Sequence, residues 1–166
     1  MGGALASAGG SGGGSGCGCS IAKLNKGDTI IINIGAVGST TSAVVDSSID
    51  DSYDHTISVT SGGNGGNGGS YSGGSAGSGG VSSGGNVSNL TGGNGSAGQY
   101  SKRPNDQTAS VSQTAGGAPA HSDGHAGGYG AAASAKDYGY ANSSAGGSGK
   151  AGFVKIYRGD TNVVAA

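Results

Sequence analysis

Residues 62–80 read GGNGGNGGSYSGGSAGSGG, a stretch that composition alone assigns to a flexible linker. Its spacing points elsewhere. Glycine returns at every third residue, at Gly62, Gly65 and Gly68 and then at Gly74, Gly77 and Gly80, and Gly92, Gly95 and Gly98 continue in the same phase. Separate triplets occur at Gly10, Gly13, Gly16; at Gly124, Gly127, Gly130; and at Gly146, Gly149, Gly152. A period of three is that of the left-handed polyproline II helix, which has three residues per turn and no internal hydrogen bonds. All its N–H and C=O groups point outward, so it persists only where neighbouring segments pair with them. A glycine at every third position leaves one face bare, which allows that close approach.

Composition explains why such packing is needed. The chain has 166 residues, of which 41 are glycine, with 33% hydrophobic and 10% charged residues, no Trp and one Phe. That is too little apolar volume for an ordinary core, while fixing each residue costs roughly 1–2 kcal/mol of backbone entropy. Backbone hydrogen bonds and Cα–H···O contacts must then supply the cohesion. Collagen is excluded, since it needs an unbroken Gly-X-Y run and abundant proline, and the chain has two prolines. The expected fold is mainly irregular/β: a bundle or sandwich of polyglycine II helices from one chain, with a few short strands and essentially no α-helix.

Three segments carry most of the large aliphatic residues. SIAKLNKGDTIIINIG (20–35) places strand-like residues on both sides of the turn signal NKGD, with Gly27 free to take positive φ, and reads as a β-hairpin. DHTISVTSG (54–62) alternates Ile57 and Val59 with polar residues, the period of a half-buried strand. AGFVKIYRG (151–159) reads as a closing strand. The chain is therefore one domain, made of a glycine-rich segment 1–19, a β-rich segment 20–61, a polyglycine body with loops 62–150, the closing strand 151–159 and a tail 160–166.

The run KLNKGDTIIINIGAVG, the Gly/Asn/Ser body and the terminal GKAGFVKIYRG together resemble the glycine-rich tip domains, or adhesins, of tailed-bacteriophage tail fibres. The resemblance covers most of the chain. Residues 39–61 stand out from it as a long polar insertion. It implies a sandwich of polyglycine II helices whose distal loops contact a receptor on the bacterial surface, either an outer-membrane protein or a glycan. It also implies a tail-fibre or other virion protein as partner, a location at the fibre tip and assembly in the host cytoplasm.

The residues between the glycine blocks fit such a role. SSIDDSYDHT (47–56), QYSKRPNDQTAS (99–110), HSDGH (121–125) and KDYGY (136–140) mix tyrosine with Asp, Asn, Ser and Gly. Tyrosine offers rigid amphipathic contact area at low entropy cost, and small polar residues add adaptable hydrogen bonds. The expected receptor-binding residues are Tyr53, Asp54, Tyr100, Lys102, Arg103, Asp106, Asp137, Tyr138 and Tyr140. Solvated loops with tyrosines covering the bundle ends are the plain alternative for any one of them.

Other chemistries have weak signals. His121, Asp123 and His125 alternate as metal ligands on an extended segment would, yet polar residues of a solvated Gly/Ser loop are the favoured reading, and no metal or cofactor is expected. No nucleophile elbow, phosphate loop or zinc-protease helix occurs, so the chain reads as non-enzymatic. Eight Lys+Arg against nine Asp+Glu give a net charge of −1, the wrong sign for nucleic acid. Cys17 and Cys19 leave an extended chain on one face, and a bond between them would be strained; small reduced thiols buried beneath the first hairpin are expected, with bonds to another chain as the alternative. The N-terminus lacks the pattern of a secretory signal, and no stretch has the length to enter a membrane. A homo-oligomer is compatible with this reading, and two rival readings are a self-assembling extracellular fibre subunit and an ice-binding protein.

Overall fold

The structure, a computed structural model, describes residues 3–104, 107–136, 139–142, 146–148, 153–156 and 159. Among them there is no α-helix; the regular elements are eleven short strands and one 3₁₀ turn at Asp51–Tyr53. The chain is mainly irregular and β. In order, the strands are β1 (Ala4–Ser7), β2 (Cys17–Cys19), β3 (Thr29–Asn33), β4 (Thr40–Asp46), β5 (His55–Thr60), β6 (Ser82–Ser83), β7 (Ser88–Leu90), β8 (Tyr100–Arg103), β9 (Ala109–Val111), β10 (Ala133–Ala135) and β11 (Tyr140–Asn142).

The organising element is the segment AGGSGGGSG, residues 8–16, which lies at the centre of the glycine body. Its N–H groups serve three neighbours in strict rotation. Ala8, Ser11 and Gly14 donate to the carbonyls of Gln99, Ser96 and Gly93; Gly9, Gly12 and Ser15 to Ala131, Gly128 and His125; Gly10, Gly13 and Gly16 to Gly66, Gly63 and Thr60, all at 2.8–3.3 Å. Descending numbers against ascending ones make these three neighbours antiparallel to the centre. Its carbonyls serve three others: Ala8, Ser11 and Gly14 accept from Gly74, Gly77 and Gly80, Gly12 and Ser15 from Gly117 and Ala120, and Gly10 from Gly147. The first two of these run parallel to it.

The six outer segments close a ring in chain order. Gly63 donates to Ser78, Gly92 to Gly80, Gly93 to Ala118, Gly127 to Gly117, Gly128 to Ser148 and Gly65 to Gly147. Each outer segment is thereby bonded to its two neighbours as well as to the centre. A Cβ on Gly62, Gly65, Gly92, Gly95, Gly98, Gly127 or Gly130 would overlap a carbonyl oxygen of the central segment, and one on Gly74, Gly77 or Gly80 a carbonyl oxygen of residues 60–66, whereas Gly124 lies against Pro119 and Ser15.

Two features of this body depart from the expected pattern. The fourth outer segment, 114–120, was announced by no glycine triplet: it meets the centre through the N–H groups of Gly117 and Ala120 and through the Thr114 hydroxyl, which donates to the Gly9 carbonyl at 3.0 Å. In the last block Gly147 reaches Gly10, one residue later than the expected Gly146, which lies against Gly65. Gly149 and Gly152 lie outside the described residues.

Strands occupy the two ends. At the end where the centre begins, β1 is flanked by β8, antiparallel, and β11, parallel, and β9 pairs with β10. The apolar cluster here is small: Ala4, Ala6, Ala8, Ala109 and Val111, with Ala133 and Ala135 against it. At the opposite end, β2 pairs with β7, and β3-β4-β5-β6 form an antiparallel sheet.

That sheet corrects the expected hairpin. Asn25–Asp28 does turn, with Gly27 at φ 109° and the Asp28 N–H bonded to the Asn25 carbonyl at 3.2 Å. Residues 20–24 form no strand, however, and β3 pairs with β4 across a second turn at Ala36–Ser39, where Gly38 takes φ 80°. The reason is alternation: Thr41, Ala43 and Val45 are buried along β4 while the residues between them are less so. The apparent insertion 39–61 thus supplies the two inner strands of the sheet. Of the expected closing strand, Phe153–Ile156 join no ladder, and residues 151, 152, 157 and 158 lie outside the described residues.

Candidate binding site

The direction of each segment decides where the connections fall. The first five outer segments alternate in direction around the ring, so the described residues of the links 69–72, 100–111 and 133–142 gather at the β1 end, and those of 17–59, 82–90 and 121–124 at the other. The three links at the β1 end each bring a tyrosine.

Tyr71 sits in the turn closed by the Gly69–Ser72 bridge, whose N–H···O bond is 2.8 Å. Tyr100 opens β8 and Tyr140 opens β11. β1 holds both strands in register: Leu5 lies opposite Lys102 on one side and Tyr140 on the other, and Ser7 lies opposite Tyr100. Because side chains alternate along a strand, Tyr140, Leu5, Lys102, Ser7 and Tyr100 share one face of this sheet. Leu5 and Ser7 are buried in it, and the tyrosines stand above.

The rings interact. Tyr71 and Tyr100 meet edge to face with centroids 6.4 Å apart and planes at 63°, the geometry favoured by the ring quadrupoles. Tyr140 belongs to the same cluster: the hydrogen-bonding influence and the charge of Tyr71, followed by burial and the charge of Tyr100, hold it above the ordinary tyrosine pKa. Even so, Tyr71 is 66% exposed, Tyr140 64% and Tyr100 37%. Lys102 and Arg103 on β8 and Lys136 after β10 are exposed at the same end.

The expected site residues divide between the two ends. Tyr100, Lys102, Arg103 and Tyr140 fall together, whereas Tyr53 and Asp54 lie at the far end beside β5. There the Asp54 carboxylate accepts from the Ser47 N–H at 2.7 Å, and the Lys23 ammonium stands 6.0 Å from the Tyr53 ring. Asp54 and His55 line a shallow hollow with Val44, Val45, Asp46 and Thr56. Asp106, Asp137 and Tyr138 lie outside the described residues. Sequence reasoning missed Tyr71, which was counted with the glycine body; the signal was its place between two triplets in GGSYSGG, where the chain has to reverse.

The HSDGH stretch also belongs to the far end. Asp123 pairs with Lys155 at 2.9 Å and stands 4.0 Å from His121 Nδ1, while His125 packs edge-on against Phe153 with centroids 5.6 Å apart. Lys155, first through its hydrogen bond and then through its charge, holds Asp123 below the usual carboxylate range. Among the described residues no group of three His, Cys or Asp side chains is arranged to hold a metal ion. The thiols are not buried beneath a hairpin: Cys17 is half-buried and Cys19 exposed, both unbonded, on β2. Gly18 between them faces the sheet, where a Cβ would come within 2.7 Å of Ile57 Cγ2, so the thiols point away from it. Burial, followed by the charges of Cys19 and Asp123, raises the Cys17 pKa. No helix among the described residues is long and apolar enough to cross a membrane.

No protein-family model, curated protein or solved structure matches the chain.

Proposed function

We propose that the seven glycine-bearing segments are polyglycine II helices and that the chain is a non-enzymatic adhesin, a receptor-binding tip of the kind carried by tailed-phage tail fibres. The rotation of hydrogen bonds supports the first part, since donors three residues apart serving one neighbour is what a threefold helix requires. One observation carries the second: tyrosines from three separate connections meet, exposed, at one end of a body held by backbone bonds. Such a body keeps the rings in place before any contact, which lowers the entropy cost of binding. On this reading the tyrosine end meets a receptor on the bacterial surface, and the far end faces the virion.

The test is binding of the purified protein to a panel of bacterial cells. With Tyr71, Tyr100 and Tyr140 all replaced by alanine, binding to a susceptible strain should fall by at least tenfold, since anchored aromatics typically cost about 2 kcal/mol each on truncation. A folded triple variant that binds undiminished overturns the adhesin reading.

A specific observation favours a second reading, that of a self-assembling fibre subunit. β3 is an edge strand with Ile31 58% and Ile32 37% exposed, and no charged residue occurs between Asp28 and Asp46. Natural edges are usually blunted by charge or proline. If the subunit reading holds, concentrated protein forms filaments visible by electron microscopy, and Ile31→Lys abolishes them.

A further inference from the structure

We propose that the tyrosine end is a saccharide site, and that the sugar it takes bears a carboxylate. This rests on the adhesin reading for its biological use, although the binding itself does not require it. The aromatic part follows from geometry. Three phenol rings on three separate links stand above the buried Leu5 and Ser7 of one sheet face, held by the β1 register and by the Tyr71–Tyr100 edge contact. A pyranose ring presents a C–H face and a rim of hydroxyls, and a phenol offers an apolar ring face with a hydroxyl at its tip. Tyr71 meets the Tyr100 ring and acts electrostatically on Tyr140, so the three phenols form one patch with exposed rings.

The anionic part follows from the place of one cation. The charged residues described at this end are Lys102, Arg103 and Lys136, while Asp106 and Asp137, in the same stretches of sequence, lie outside the described residues. Lys102 shares its sheet face with Tyr100 and Tyr140. A ring stacked on the tyrosines would thus meet a cation at its edge. Arginine and lysine at such an edge select a carboxylate over a hydroxyl through charge-assisted hydrogen bonds.

Titration of the full chain with oligogalacturonate, followed by calorimetry and by the tyrosine ring resonances, tests this. Binding should have a Kd of about 1 mM or tighter, move the Tyr71 and Tyr140 signals and weaken with added salt. Tyr71→Ala should weaken it about tenfold, a loss of about 1.4 kcal/mol. Lys102→Gln leaves the rings in place and should reduce the preference over the fully methyl-esterified, uncharged oligomer. Absence of saturable binding, or binding indifferent to Tyr71→Ala, overturns the proposal; equal affinity for the charged and esterified oligomers overturns its anionic part. Failure here is distinguishable from failure of the adhesin reading. Loss of cell binding in the triple tyrosine variant without oligogalacturonate binding leaves the adhesin and removes the sugar, whereas oligogalacturonate binding with undiminished cell binding does the reverse.

Discussion

Residues 8–16 and strand β4 are each the middle element of their part of the molecule, and they are held in opposite ways. The central segment is surrounded on all sides and has no side chain larger than serine or alanine; its cohesion is the pairing of its N–H and C=O groups with six neighbours at a period of three. β4 has a neighbouring strand on each edge and buries one face, with Thr41, Ala43 and Val45 inward at a period of two. Side-chain volume is an obstacle in the first and the source of stability in the second. One chain thus uses two packing rules, and substitutions that add or remove a methyl group should have opposite consequences in the two places.

The largest effect is expected where a methyl is added beside the centre. In Gly65→Ala the new Cβ would overlap the Gly10 carbonyl oxygen, and the backbone has to move. Two bonded segments would separate, at a cost of about 3 kcal/mol, the upper part of the range for overpacked sites. Gly69→Ala is the control: its Cβ meets only the Ser72 hydroxyl, at 3.0 Å, and the Ser72 carbonyl, at 3.8 Å. It should stay within about 0.5 kcal/mol of the native chain, as surface substitutions do. Thermal unfolding of both variants measures the difference, and equal shifts would show that close approach is not why glycine stands at position 65.

In the sheet the sensitive change is removal. Val45→Ala empties a position that is 6% exposed and should cost about 2 kcal/mol, as large-to-small core changes do. Val44→Ala, one residue earlier on the opposite face and only half-buried, should cost less than half of that. Denaturant titration of the pair would read the period directly, and similar midpoints would mean that β4 is not buried on one face.

The two rules were unequally legible in the sequence. Glycine triplets announce the outer segments at 62–68, 74–80, 92–98 and 124–130, because only a bare face admits a neighbouring carbonyl. The centre announced itself less clearly: a segment enclosed on all sides needs small residues at every phase, so AGGSGGGSG reads as a tract and not as a triplet. Segment 114–120 was invisible for a different reason. Thr114 reaches the centre by a hydroxyl bond and Ala120 by its N–H, and a search for glycine passes over them. That omission hid the site as well. Without 114–120 the chain reverses once too few, QYSKRPNDQTAS and HSDGH merge into one connection, and the order that puts Tyr71, Tyr100 and Tyr140 at one end cannot be worked out. In the sheet, Ile57 and Val59 disclosed β5, while the Thr and Ser of β4 disguised an inner strand as a polar insertion.

Ion pairs belong to neither rule, and this sets the smallest effect. Asp123 and Lys155 join the 121–124 turn to residues 153–156 at 2.9 Å, but both side chains are about half exposed. Water and salt screen such a pair. The hydrogen bond from Lys155 lowers the Asp123 pKa, so the folded chain binds this proton less readily than the unfolded one. Whatever stability the pair contributes is therefore present above the ordinary aspartate pKa and disappears as pH falls through the lowered value. Asp123→Asn should unfold at nearly the native temperature at neutral pH, and the small difference should close on acidification or in high salt. Asp28 has the same sign, its pKa lowered first by the Ser48 hydroxyl and then by the Asn25 N–H. A large loss in Asp123→Asn at neutral pH would mean that the turn and residues 153–156 hold the body together, and that backbone pairing around residues 8–16 is not sufficient by itself.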